Sequence, residues 1–351
     1  MASCFVLVDG SNILRRYRHR PDLLEANAEE RFLGSLKGFL SFLSSVATGR
    51  GLIVKKGTFV VAWDRGVSSF RRNVFPEYKK KKEGGGRKES DTVPPHLREF
   101  LPTVSPSTGS SPYLLGREIL HERILPSLGV SSVMVDGAEA DDIIAMVVNK
   151  MGERETPLFI YSSDRDYIQL LKEDKVEMVD AANDRSFTEN GIIRDYDLHP
   201  VHWRVQWKIY RAICGDVSDG IPGISGAGEK AALQYSQQVI DSLTRGKTFL
   251  ASLVGLQRPK YTNKSTYEMI TSTDGHRVLT RNLSLMDLEN PMSNDSNLGK
   301  KIVRSLIQSS LIQVGVDSAL DLLSEVGVGE SRIDAEIVYE SSTPLEFSSF
   351  L

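Results

Sequence analysis

The chain has 351 residues, 40% of them hydrophobic and 25% charged, with a net charge of −3. That balance belongs to a soluble globular protein with a sizeable core and excludes a disordered or fibrous chain. No run approaches the roughly 18 apolar residues of a membrane span, and the opening MASCFVLVDG lacks the length and basic flank of a signal peptide, so a cytoplasmic location is expected, the host cytoplasm if the source is viral.

Four β-rich apolar runs each end in a polar turn: CFVLVDGSN (4–12), TFVVAWDRG (58–66), SSVMVDGAE (131–139) and PLFIYSSDRD (157–166). Near-continuous apolar strands are buried on both faces, as in a parallel sheet. Helical patterns over 28–47, 114–129 and 141–152 alternate with them, which predicts an α/β fold with a central, mostly parallel sheet. Residues 79–113 break the alternation with charge, Gly, Ser and Pro, and are too long for an ordinary connection. Beyond about residue 200 the pattern becomes helix, glycine-rich turn, helix, and then mainly helical to residue 325, with a polar, acidic tail ending in PLEFSSFL.

The net charge hides a strong polarity. Between Arg65 and Lys88 nine basic side chains face only Glu77 and Glu83, a local +7. Arg71, Arg72 and Lys79 to Lys82 are interleaved with Phe70, Phe75 and Tyr78, a mixture of phosphate-pairing charge and stacking surface suited to single-stranded nucleic acid. Tyr78 and Lys80 belong to that expected surface. The two cysteines, Cys4 and Cys214, form no C-x-x-C pair, and the histidines show no metal spacing, so any metal is expected on oxygen ligands.

Ligands of an open α/β sheet bind beyond the carboxyl ends of its strands. Asp9, Asp64 and Asp164 stand at three such ends, with Asp166 close by. GAEADDIIAM adds Glu139, Asp141 and Asp142 at a helix start, and GDVSDG adds Asp216 and Asp219. A first-turn acid often only caps its helix, but nine carboxylates exceed what capping needs. Such a cluster is most simply stabilised by divalent cations, and an all-oxygen set favours Mg²⁺ or Mn²⁺. Two such ions suit phosphodiester hydrolysis. In GIPGISGAGEKAA, Gly223, Gly226 and Gly228 precede a helix with Lys230 in its first turn, an arrangement that lets backbone N–H groups approach phosphate.

GAEADDIIA, SSDRDYIQLL and GDVSDGIPGISGAGEKAA, following VLVDGSN and VAWDRG, together resemble the flap endonuclease and 5′-3′ exonuclease family over roughly residues 1–235. FRRNVFPEYKKKK and the region near 276–325 look most like its ribonuclease H branch in T-even phages. The resemblance implies a PIN-like core over 1–200 with an arch at about 65–113. It further implies a helix-three-turn-helix over 201–240, a helical region over 241–329 and a tail over 330–351. It places Asp9, Asp64, Glu139, Asp141 and Asp164 around a first metal and Asp166, Asp216 and Asp219 around a second, with Asp142 shared or holding water. Arg71 or Arg72 and Lys79 would steer the scissile phosphate, and K⁺ would sit near Ile221 to Ser225. The implied activity is a Mg²⁺-dependent, structure-specific 5′-nuclease without a polymerase domain, monomeric, acting on DNA or RNA–DNA hybrids with 5′ ends or flaps. The apolar residues of PLEFSSFL at an acidic end suit either docking on a replication partner, such as a sliding clamp, or packing on the C-terminal helices, and a single-strand-binding protein is the other partner considered. The alternatives are a PIN-type single-strand ribonuclease and an inactive junction-binding homologue.

Overall fold

Alternate residues of β1 (Cys4–Asp9) enter opposite cores, Phe5 and Leu7 on one face and Cys4, Val6 and Val8 on the other, as the two-residue period of a strand requires. The computed structural model describes residues 4–19, 23, 26–49, 57–80, 111–151, 155–260, 262–288, 296–311 and 315–343. Its main sheet has the order β3-β2-β1-β4-β5-β6, from β2 (Gly57–Trp63), β3 (Ser131–Met134), β4 (Leu158–Tyr161), β5 (Val176–Asp180) and β6 (Arg185–Phe187). All neighbours are parallel except β5 and β6. β1 therefore lies between β2 and β4, and the strand order reverses beside it, which opens a crevice at the carboxyl ends.

α1 (Gly10–Arg18) and α2 (Ala28–Ala47) cover one face with Ile13, Leu14, Phe32 and Leu36. α2 starts where it does because Asn27 and Glu30 form a reciprocal capping box, with both hydrogen bonds at 2.9 Å. After the short α3 (Ser69–Val74), α4 (Pro112–Ile119) runs through a π-type turn at Leu120–Ile124 towards β3. α5 (Ala140–Met151) covers the other face with Ile143, Ile144 and Val147.

α6 (Glu189–Asp195) leads to α7 (Trp203–Cys214), a two-residue hairpin of β7 (Gly215–Asp216) and β8 (Ile221–Pro222), the glycine-rich turn and α8 (Glu229–Thr244). α9 (Phe249–Val254), α10 (Lys264–Thr271) and α11 (Thr273–Met286) continue behind this unit. The last helices return to the sheet. α12 (Ser296–Leu311) sends Leu298, Ile302 and Leu306 into the first core, while α13 (Val316–Glu325) and α14 (Arg332–Ser341) send Ala319, Leu322 and Val338 into the second. Thr343 N then donates to Gly57 O at 2.9 Å. Among the described residues the C-terminal helices thus share the two cores of the sheet, and none is long and apolar enough to cross a membrane. Most of the expected arch and the whole of PLEFSSFL fall outside the described residues.

Candidate catalytic pocket

Three strand ends and the start of α5 surround a cavity of about 590 Å³ whose wall includes Asp9, Asp64, Glu139, Asp141, Asp164 and Asp219. Local turn chemistry places each carboxylate. Asp9 ends β1 and caps α1, accepting from Asn12 N at 2.9 Å, and its other oxygen meets Ser162 Oγ at 3.1 Å and Tyr167 Oη at 3.2 Å. Asp64 accepts from Ala140 N at 2.9 Å and from Arg15 Nη2 at 2.8 Å. Asp164 caps the 3₁₀ turn at Arg165–Leu170 by accepting from Asp166 N at 2.9 Å. Asp216 Oδ1 accepts from Ser218 N at 2.8 Å and Asp219 N at 3.2 Å, which folds the hairpin loop towards the pocket.

Much of the negative charge is met by the protein's own cations. Buried Arg71 lies 2.8 Å from Glu139 Oε1, spans both Asp141 oxygens at 3.1 and 3.0 Å, and reaches Asp142 Oδ1 at 3.1 Å. Lys79 Nζ bonds Glu139 and lies 3.4 Å from Asp219 Oδ1. Lys79 adopts φ 50°, and its N–H donates to Asp219 O at 3.0 Å, so an unfavourable backbone conformation is held against the hairpin loop. Arg211 of α7 joins Asp166 at 2.9 Å and Asp216 at 2.8 Å. Asp9 and Asp164 are in no ion pair among the described residues.

The proton affinities follow that division. Burial pushes the Glu139 carboxyl up, but Arg71 and Lys79 outweigh it and hold it at about 2. Burial and neighbouring Asp64 raise Asp9 to about 6, and burial and neighbouring Asp166 raise Asp164 to about 8. A carboxyl raised in the folded state stabilises fully below its unfolded value, and that contribution is lost as pH climbs through the folded value. For Asp164 the loss begins near its ordinary value of 3.8 and is complete just above 8; its last step, between pH 7 and 9, amounts to about 1 kcal/mol, or roughly 1–2 °C in Tm. Thermal melts in EDTA should therefore drop over that interval, and Mg²⁺ should raise Tm more at pH 9 than at pH 7. Equal Mg²⁺ shifts at the two pH values would separate Asp164 from cation binding.

Among the described residues no three carboxylates, histidines or cysteines converge tightly enough to hold a metal ion as they stand. The donor chemistry still fits a hard divalent cation, being all oxygen, with Asp9 near enough to raise Asp164 and neither of the two in an ion pair among the described residues.

The structure does not bring every expected site residue to the pocket wall. Arg71 is 4% exposed and is paired with three carboxylates behind that wall, whereas Arg72 and Lys79 line it. Tyr78 is buried, with its hydroxyl 3.1 Å from Glu139 and 2.9 Å from Asp219, and offers no stacking face to a strand. Asp142 turns back to accept from Glu139 N at 3.1 Å, a helix-start contact away from the pocket wall. Asp166 and Asp216 are also off that wall, tied to Arg211.

A Cβ on Gly223 would lie 2.2 Å from Cys214 O and one on Gly226 2.3 Å from Thr266 Oγ1, so these glycines let the chain pack closely on itself. Gly228, the N-cap of α8, has open space around it, and Lys230 is exposed beside it. Lys80 is exposed but off the pocket wall.

Sequence reasoning missed Arg15, Arg117 and Arg211. Arg117 of α4 is buried and donates to Asp64 O at 2.8 Å. Only Arg211, five residues before Asp216 on the helix that leads into GDVSDG, had a usable signal.

Fold and pocket define an α/β protein with an acidic, cation-rimmed cleft at the topological switch of a mostly parallel sheet. A family model described as the 5′-3′ exonuclease N-terminal, resolvase-like domain matches residues 4–197, and the chain belongs to that 5′-3′ exonuclease family. It is similar to the 5′-3′ exonuclease of Halalkalibacterium halodurans, 30% identical over 242 residues that cover 66% of this chain and 69% of that one. The 5′-3′ exonuclease of Aquifex aeolicus is 26% identical over 238 residues, covering 66% and 68%. The solved 5′-exonuclease of bacteriophage T5 with divalent zinc bound shares the fold, with a TM-score of 0.54 at 20% identity over 95% of this chain and 99% of that one.

Proposed function

We propose that the chain is a divalent-metal-dependent, structure-specific 5′-nuclease that hydrolyses phosphodiesters at 5′ ends and flaps of DNA or RNA–DNA hybrids, as in primer removal. The observation that carries this is the meeting of six carboxylates with Lys79 and Arg72 on one open pocket at the strand ends. Membership of the 5′-3′ exonuclease family supports the polarity.

Asp9, Asp64 and Asp164 would hold the first cation, with Glu139 and Asp141 adjoining. Such a cation supplies charge to the phosphoryl oxygens and acidifies a water. At the second position Arg211 already provides positive charge to Asp166 and Asp216, so a second ion there requires Arg211 to withdraw. Lys79 holds an ammonium over Glu139 and Asp219 at the pocket rim, where it can meet a phosphate entering from the 5′ side. Gly228 and Lys230 present the start of α8 to the backbone of an adjoining duplex. The K⁺ of the resemblance has less to do here: Pro222 O already accepts from Asn282 Nδ2 and Ser225 O from Thr266 Oγ1, each at 2.9 Å.

A 5′-labelled flap duplex with Mg²⁺ tests the reading. Short labelled oligonucleotides or mononucleotides from the flap, and none in EDTA, are expected. Preference for unstructured RNA would favour the single-strand ribonuclease instead, and binding without any cleavage the inactive homologue.

A further inference from the structure

Arg15 belongs to none of the motifs above, yet it stands on the pocket wall. Asp9 caps α1, and Asn12 and Arg15 follow at three-residue steps, so all three share the helix face that looks into the cavity. The Arg15 side chain is 57% exposed, its guanidinium lies 5.6 Å from the centre of the Tyr113 ring, and one nitrogen is 2.8 Å from Asp64 Oδ2. Asp64 Oδ1 is occupied by Ala140 N, which leaves Oδ2 as the oxygen a cation would take. An exposed ion pair of this kind contributes only about 0–1 kcal/mol, so a doubly charged ion displaces it easily.

A guanidinium with five donors, stacked on an aromatic ring and facing a cleft for nucleic acid, matches a phosphate. We propose that Arg15 is a substrate-phosphate ligand held in store by Asp64 and turned onto the substrate strand when a divalent cation takes that carboxylate. The proposal rests on the nuclease reading. It makes the phosphate contact conditional on the metal, so that substrate is gripped on this wall only by a chain ready to cleave.

Arg15→Ala tests it without relying on turnover. Mn²⁺ titrated into the protein alone and followed by electron paramagnetic resonance should bind the variant at least about threefold more tightly, because a competing cation is gone. Binding of a 5′-flap duplex in EDTA should be unchanged. In Ca²⁺ it should weaken about tenfold, with the slope of log affinity against log salt reduced by about one. Arg15→Lys should keep that slope. Unchanged Mn²⁺ affinity, or equal losses of flap binding with and without Ca²⁺, overturns the proposal. Wild-type cleavage of the same flap in Mg²⁺ is the control; its failure would count against the nuclease reading, while the Mn²⁺ titration would still decide whether Arg15 competes for Asp64.

Discussion

Asp164→Asn is expected to lower single-turnover cleavage of a 5′ flap by about 10²–10³-fold or more, the loss seen when one preorganised electrostatic contact is removed from an active site. It should simultaneously raise the Tm of the metal-free protein by roughly 2–4 °C. The two effects have one cause. Asp164 has no ion-pair partner among the described residues, and burial beside Asp166 raises it to about 8, so at neutral pH the metal-free fold must take up a proton that the unfolded chain releases, a cost that a bound cation would offset. Asparagine keeps an oxygen for the cap on Asp166 N and removes the charge. Mg²⁺ should then stabilise the variant less than the wild type. An aspartate with a purely local role would behave in the opposite way, losing stability while activity followed the folded fraction. Undiminished cleavage, or a lower Tm in EDTA, would remove Asp164 from the metal site.

The parts of this molecule that follow local rules were legible in its sequence. Continuous apolar runs marked β1 to β4, because strands buried on both faces need them, and the helical pattern over 28–47 coincides with α2. β5 and β6 were missed: VEMVD alternates buried and half-buried residues and RSF is short, as befits the margin of the sheet. The aspartates at the strand ends stood out because turn chemistry and sheet topology both put them there. Their counter-ions did not. Arg71 meets Asp141 across 70 positions and Arg15 meets Asp64 across 49, and no periodicity encodes such a pairing. For the same reason the burial of Tyr78 and Arg71 was not legible, since a basic and aromatic run reads as surface until the fold turns two of its members inwards. Asp142 shows capping and metal binding as two readings of one motif, and the contact that the structure shows there is the capping one.

Arg71→Met should therefore act mainly on stability. It leaves Glu139, Asp141 and Asp142 buried around a missing charge, and breaking a buried ion pair from one side typically costs about 3–5 kcal/mol. A fall in Tm of roughly 4–7 °C is expected by calorimetry or thermal shift. Arg71→Lys should recover only a fraction, because an ammonium cannot span both oxygens of Asp141 while reaching Glu139 and Asp142. The informative partner is Asp142→Asn. Asp142 lies off the pocket wall and keeps its contact to Glu139 N as an amide, so adding it to Arg71→Met removes one uncompensated charge without touching the pocket. The double variant should be more stable than Arg71→Met alone, the signature of direct coupling in a double-mutant cycle. A Met variant that melts like the wild type but cleaves poorly would instead return Arg71 to the phosphate, and would mean that the cluster around Glu139 is opened by substrate or metal during turnover.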